Sequence, residues 1–221
     1  EVSFAMKGAL FLNGEPPTAE ALKKVLSERK NGSVSAVYCT DGAYSYVKDV
    51  FLPDVVVGDF DSLNRDEVGD CVECVSFPTD KNFTDGYLAV KIMAERGFAE
   101  IDIFGGYGGR PDMAESNYLL LVLAEQCGVR ARLCGVLNAY LVSGYFSLRL
   151  KKGALFSVVP FTDSVHILYM KGLKYALSDY TMSKTAWVAK DDYVMGVSNA
   201  SVGESVELAV DGGTALVFVQ E

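Results

Sequence analysis

Two carboxylates close the stretch Pro53-Asp54-Val55-Val56-Val57-Gly58-Asp59-Phe60-Asp61-Ser62-Leu63-Asn64, just where a run of valines ends. Asp59 and Asp61 are hard oxygen donors one residue apart. Mg2+ takes one or two such ligands and completes its shell with water and phosphate. In an extended segment, residues i and i+2 point the same way, so the expected geometry sends both acids outward and turns Phe60 back into the core. The same pair would also serve as a turn and a helix N-cap, with Asp61 standing before Ser62-Leu63-Asn64-Arg65.

Two further stretches carry groups of this kind. In Gly105-Gly106-Tyr107-Gly108-Gly109-Arg110-Pro111-Asp112, four glycines allow backbone N–H groups to come close to a ligand. A helix N-terminus beyond them would favour an anion, and Arg110 adds a fork of donors suited to phosphate oxygens. The stretch is neither a Walker loop nor a G-x-G-x-x-G loop, and Asp112 is equally suited to capping the helix. In Phe77-Pro78-Thr79-Asp80-Lys81-Asn82-Phe83-Thr84-Asp85, capping explains Thr84 and leaves Lys81 unexplained. The single histidine, His166, lies in an alternating segment and reads as structural. Carboxylates, lysine and metal are therefore better supported as working groups than a histidine-centred nucleophile.

The elements that must position these groups follow from periodicity. Apolar strands are expected at 7–14, 34–40, 54–59, 71–77, 100–106 and 129–135, and amphipathic helices at 18–30, 84–97 and 112–128. The segment 41–49 reads as a short helix or turn, and the helix at 112–128 as buried, because it is apolar nearly all round. Val- and Ile-rich strands alternating with helices imply an open, mostly parallel sheet covered on both faces. Ligands of such sheets bind at the carboxyl ends of the strands, where Asp41, Asp59, Asp61, Asp85 and the glycine loop would gather. From about residue 138 the texture becomes short alternating runs, including 193–198, which read as an antiparallel β-sandwich or barrel. Two domains are expected, α/β over 1–138 and all-β over 139–221, with the boundary region at Leu137–Gly144.

Half of the 221 residues are apolar, so a substantial core is available. A net charge of −9 supplies no cationic footprint and excludes a nucleic-acid binder. An acidic chain still holds a phosphate-rich ligand through a divalent cation, and it favours a cationic ligand. No apolar run reaches the ~18 residues of a membrane span. The N-terminus lacks the regions of a signal peptide. The five cysteines read as reduced, mostly buried thiols of a cytoplasmic protein. Cys71 and Cys74 form a lone C-x-x-C without the second pair or histidines that a zinc site needs.

Taken in order, the motifs resemble the thiamine pyrophosphokinase family. They are Gly58-Asp59-Phe60-Asp61-Ser62, Lys81-Asn82-Phe83-Thr84-Asp85, and Gly108-Gly109-Arg110-Pro111-Asp112 with Asn117, followed by Gly172-Leu173-Lys174-Tyr175 and Gly196-Val197-Ser198-Asn199. The resemblance implies transfer of a diphosphoryl group from ATP to the hydroxyl of thiamine, giving thiamine diphosphate and AMP. It also implies Mg2+ and a homodimer with shared active sites. By position, Asp59 and Asp61 would hold the metal and the triphosphate, with Asp85 assisting, and one of the three would act on the hydroxyl. Lys81 and Arg110 would neutralise phosphate. Asp41, Thr84, Gly109, Asp112 and Asn117 would line the nucleotide site, and Ser198 and Asn199 would lie near thiamine.

The chain departs from the family pattern in places. Asn82 stands where Asp is usual, Met113 where bacterial members often have His, and Ala200 where Glu is common. Trp187, the only tryptophan, reads as a core or interface residue, with ring stacking on thiamine as the other role. Two competing functions remain open: a metal-dependent nucleotide-sugar transferase, which accounts for Asp59 and Asp61 alone, and a non-catalytic regulator that binds thiamine or nucleotide, which fits Asn82.

Overall fold

The computed structural model describes residues 5–61, 63–78, 80, 82–185 and 193–221. The chain divides into two compact units, Glu1–Gly135 and Val136–Glu221.

The first unit contains β1 (Met6–Phe11), α1 (Ala19–Lys30), β2 (Ala36–Thr40), α2 (Asp41–Lys48), β3 (Val55–Gly58), β4 (Glu73–Ser76), α3 (Asp85–Glu95), β5 (Phe98–Phe104), α4 (Pro111–Asn117), α5 (Leu119–Gln126) and β6 (Arg130–Leu133). Its strands run in the order β6-β5-β1-β2-β3-β4, and every pairing is parallel. Parallel neighbours need crossovers: α1, α2 and α4 with α5 supply those from β1 to β2, β2 to β3 and β5 to β6, while β3 passes to β4 through a segment with one short 3-10 turn, Arg65–Glu67. Thr18 and Thr84 start α1 and α3 by accepting the amides of Ala21 at 3.2 Å and Tyr87 at 3.1 Å. Alternation along the strands sends Ala9, Phe11, Val37, Cys39 and Val56 to one face, where Leu22, Val25, Tyr44 and Val47 of α1 and α2 cover them. The opposite side chains, such as Leu10, Ile101 and Ile103, are equally buried, on the face where α3 and α5 pack. Fully burying one such aliphatic side chain contributes about 1.5–3 kcal/mol.

The helix expected over 112–128 is two helices meeting at Tyr118. At the joint, Tyr118 donates its amide to Glu115 and Leu121 to Tyr118, three residues back rather than four, which tightens the turn. Only α5 carries the buried leucines, while α4 is largely exposed.

The second unit holds β7 (Asn138–Val142), β8 (Tyr145–Arg149), β9 (Leu155–Pro160), β10 (Ser164–Lys171), β11 (Ser178–Ser183), β12 (Asn199–Ala200), β13 (Ser205–Gly212) and β14 (Ala215–Val219). One antiparallel sheet runs β12-β9-β14-β7 and the other β11-β10-β13-β8. Phe156, Val158 and Val217 of the first share one core with Val165, Ile167, Met182 and Leu208 of the second, as in a sandwich.

Residues 138–142, expected to fall in a connecting region, form β7. Residues 193–198, expected to be a strand, are not one. Gly196 at φ 70 and Ser198 at φ 59 take left-handed conformations that break a strand there. Of the five thiols, only Cys39 and Cys134 are buried, and Cys71 is exposed. That differs from the expectation of mostly buried thiols, because Cys71 lies in a turn rather than in the strand that follows it. Among the described residues, no helix is long and apolar enough to cross a membrane.

Candidate active site

At the carboxyl ends of β1, β2 and β5 the first unit opens into a cleft of about 230 Å3. Its lining comes from the segments that leave those strands (Leu12 to Gly14, Thr40 and Asp41, Gly108 and Arg110), from Thr84 to Gly86 at the start of α3, and from Asn117.

The parallel register pairs Thr40 with Val57. The next residues along, Asp41 and Gly58, therefore stand side by side. A Cβ on Gly58 would lie 2.5 Å from the Asp41 carboxyl carbon, so only glycine leaves room for that acid. Asp41 is 8% exposed. Its Oδ1 accepts the Gly42 amide at 2.6 Å and its Oδ2 accepts the Phe60 amide at 3.1 Å.

The segment carrying the two acids is not extended. Phe60 has φ 58, a left-handed conformation uncommon outside glycine and asparagine. Asp59 Oδ1 accepts the Asp61 amide at 3.2 Å, closing a local turn. The Phe60 ring packs against the core, as expected, and Arg65 lies over it with 4.9 Å between guanidinium and ring centre. The two acids thus converge through a turn held by Asp41, rather than through strand alternation.

Carboxylate oxygens of Asp41, Asp59 and Asp61 lie within 4.8 Å of one another. Burial pushes the Asp41 carboxyl above the usual carboxylate range. The charges of Asp85 and Asp59 push the same way, against the amides of Gly42 and Phe60. A cation at this spot would relieve both the burial and the repulsion. Three hard oxygens at this spacing form the donor set that a divalent cation such as Mg2+ accepts.

The remaining sequence candidates fall in several places. Asp85 lines the cleft, and its charge reaches Asp41. Thr84 lines it too, while its hydroxyl caps α3. Asn117 is buried and donates its amide to the Gly106 carbonyl at 2.9 Å, fixing the glycine loop. Gly109 takes φ 65 within that loop. Arg110 forks onto Asp112 at 3.1 and 2.5 Å, with both side chains well exposed. That pairing holds the Asp112 carboxyl below its ordinary range.

Ser198 and Asn199 belong to the second unit. The Ser198 amide donates to Ser157 Oγ at 3.3 Å. Asn199 is buried and spends its amide on the Tyr175 backbone, accepting at 3.0 Å and donating at 2.7 Å. It thereby ties the Gly196–Asn199 motif to the Gly172–Tyr175 motif. Lys81, Ser62 and Trp187 lie outside the described residues.

Sequence reasoning put Asp41 with the nucleotide but not with the metal. It passed over Thr40 and Asn13, each of which also stands at or just past the end of a strand. Position after a strand was the available signal, and a one-residue register was the missing one.

Residues 28–132 match the family described as "Thiamin pyrophosphokinase, catalytic domain". Most of the first unit is thus similar to that catalytic domain. The thiamine pyrophosphokinase of Bacillus subtilis (strain 168) is 26% identical over 149 residues, 63% of this chain and 70% of that protein. The crystal structure of thiamine pyrophosphokinase from Bacillus subtilis superposes with a TM-score of 0.78 at 17% identity, covering 97% of this chain and 98% of the other. Yeast thiamin pyrophosphokinase gives 0.78 at 15% identity, over 98% and 86% of the two chains. Thiamin pyrophosphokinases thus share the parallel sheet with its helices and the antiparallel β-domain of this chain.

Proposed function

We propose that the cleft transfers the β,γ-diphosphoryl group of ATP to the hydroxyl of thiamine, giving thiamine diphosphate and AMP. One observation carries this reading: Asp41, Asp59 and Asp61 bring their oxygens within 4.8 Å in a unit that matches the thiamin pyrophosphokinase catalytic domain.

In this reading Asp41, Asp59 and Asp61 hold Mg2+, which when bound neutralises polyphosphate oxygens. Transfer of this kind rests mainly on positioning and charge stabilisation. The glycine loop after β5 lets backbone amides approach the phosphates, and Asn117 keeps that loop in shape. Arg110 exchanges Asp112 for a phosphate oxygen, which costs little because so exposed an ion pair is weak in water. Asp85 lines the cleft beside the three acids, and we assign to it the proton of the thiamine hydroxyl. The hydroxyl oxygen then bonds to the β-phosphorus. The bond from that phosphorus to the α,β-bridging oxygen breaks, and AMP departs with the oxygen. The fixed positive charge of thiamine is attracted by a chain of net charge −9.

The test is AMP formation from ATP and Mg2+ with and without thiamine. Thiamine-dependent AMP supports the reading, and its absence in purified protein overturns it. Thermal shifts with ATP and with nucleotide sugars separate it from a sugar transferase. The reading includes a homodimer, and an active monomer in sedimentation would count against that part.

A further inference from the structure

Among the described residues, one buried side-chain polar atom has no hydrogen-bond partner: Oγ1 of Thr40. Thr40 is 4% exposed, and it lines the cleft next to Asp41. Such an orphan is unusual, since nearly all buried polar side-chain atoms are satisfied. Thr40 also occupies the N-cap position of α2, where a threonine hydroxyl ordinarily accepts an amide of the first turn; here it makes no such bond. The Gly42 amide goes to Asp41 instead. Alternation along β2 explains why. Val37 and Cys39 face α1 and α2, so Thr40 points with Tyr38 to the other face. There Tyr38 meets Arg96, just past the end of α3, and the start of the same helix, Thr84 to Gly86, lines the cleft with Thr40.

We propose that the Thr40 hydroxyl is a ligand-binding group of the cleft, donating a hydrogen bond to an anionic oxygen of the nucleotide's polyphosphate. A hydroxyl carries one proton, and the nearby protein acceptors leave it unused. Asp41 takes its hydrogen bonds from two backbone amides. A phosphate oxygen held beside the three acids is an acceptor of the right charge. Thr40 touches bound nucleotide without taking part in proton transfer, so its effect falls on binding. This assignment rests on the nucleotide reading of the cleft.

The experiment compares the parent with Thr40→Val, which keeps the shape and removes the hydroxyl, and with Thr40→Ser, which keeps the hydroxyl. Affinity for MgATP is read by calorimetry, and KM and kcat by AMP formation. Hydrogen bonds to charged groups predict MgATP binding about ten- to hundredfold weaker in Thr40→Val. KM should rise more than kcat falls, and Thr40→Ser should recover most of the loss. Thermal stability of Thr40→Val without nucleotide should be equal to or above the parent's, because the removed group had no partner. Unchanged MgATP affinity in Thr40→Val overturns the proposal, and so does a drop in its stability without nucleotide. A parent that binds no MgATP overturns the nucleotide reading itself, an outcome distinct from a parent that binds and a valine variant that binds equally.

Discussion

The backbone amide of Phe60 donates to Asp41 Oδ2 across a gap of 3.1 Å, joining the end of β3 to the start of α2. With Gly42 bonded to the other oxygen, both oxygens of Asp41 accept from the backbone, and one of those bonds holds Phe60 left-handed. Asn at position 41 can accept at only one of the two oxygen positions and would set an NH2 group against an N–H at the other. Asp41→Asn should therefore lower stability by about 1–2 kcal/mol and abolish AMP formation. Denaturant melts and the AMP assay check this. A variant as stable and active as the parent would mean that the turn does not depend on Asp41.

Asp59→Asn behaves differently. Its Oδ1 only closes a local turn onto Asp61, and an amide oxygen does the same. The melting temperature should stay within about 2 °C of the parent's, while AMP formation falls about a hundredfold or more. The Mg2+-dependent rise in melting temperature should shrink along with it. A near-normal rate would remove Asp59 from the metal site.

Asn82 is exposed, one residue after Lys81 and two before the α3 cap Thr84. Asn82→Asp adds a carboxylate close to a helix N-terminus, where negative charge is favoured by about 0.3–1 kcal/mol. Activity should be retained or raised, with less Mg2+ needed for half-maximal rate. Complete loss would show that the match to the family pattern is misplaced over this segment.

His166 in β10 offers a test in the second unit. Its Nδ1 lies 2.5 Å from Asp211 and its Nε2 lies 3.1 Å from Asp179. Hydrogen bonds donated by the imidazolium to Asp211 first, then to Asp179, hold its pKa above the ordinary value of 6.5. A raised histidine contributes stability that is complete below the unfolded value and is lost as pH rises through the folded one. Because the chain has a single histidine, one imidazole resonance in proton NMR reports the titration. Its midpoint should lie above 6.5 and fall in Asp211→Asn. A midpoint unmoved by that substitution would break the assignment.

Local features were legible from residue order. Thr18 and Thr84 cap helices because their hydroxyls reach amides three residues on, and that needs no distant partner. The parallel sheet and the antiparallel sandwich were legible too, because burial on two faces or on one leaves a different hydrophobic period. The break at Tyr118 and the missing strand at 193–198 were not, since each turns on backbone angles that side-chain periodicity does not encode.

By itself, the sequence determined which acids and glycines follow each strand, and therefore which end of the sheet holds polar groups. Tertiary structure alone decided that Asp41 joins Asp59 and Asp61. Those residues meet only because β2 and β3 pair with Thr40 opposite Val57. The physical reason is that a carboxylate's partners are set by distances of a few ångströms between chain segments, and strand register, not residue type, fixes those distances.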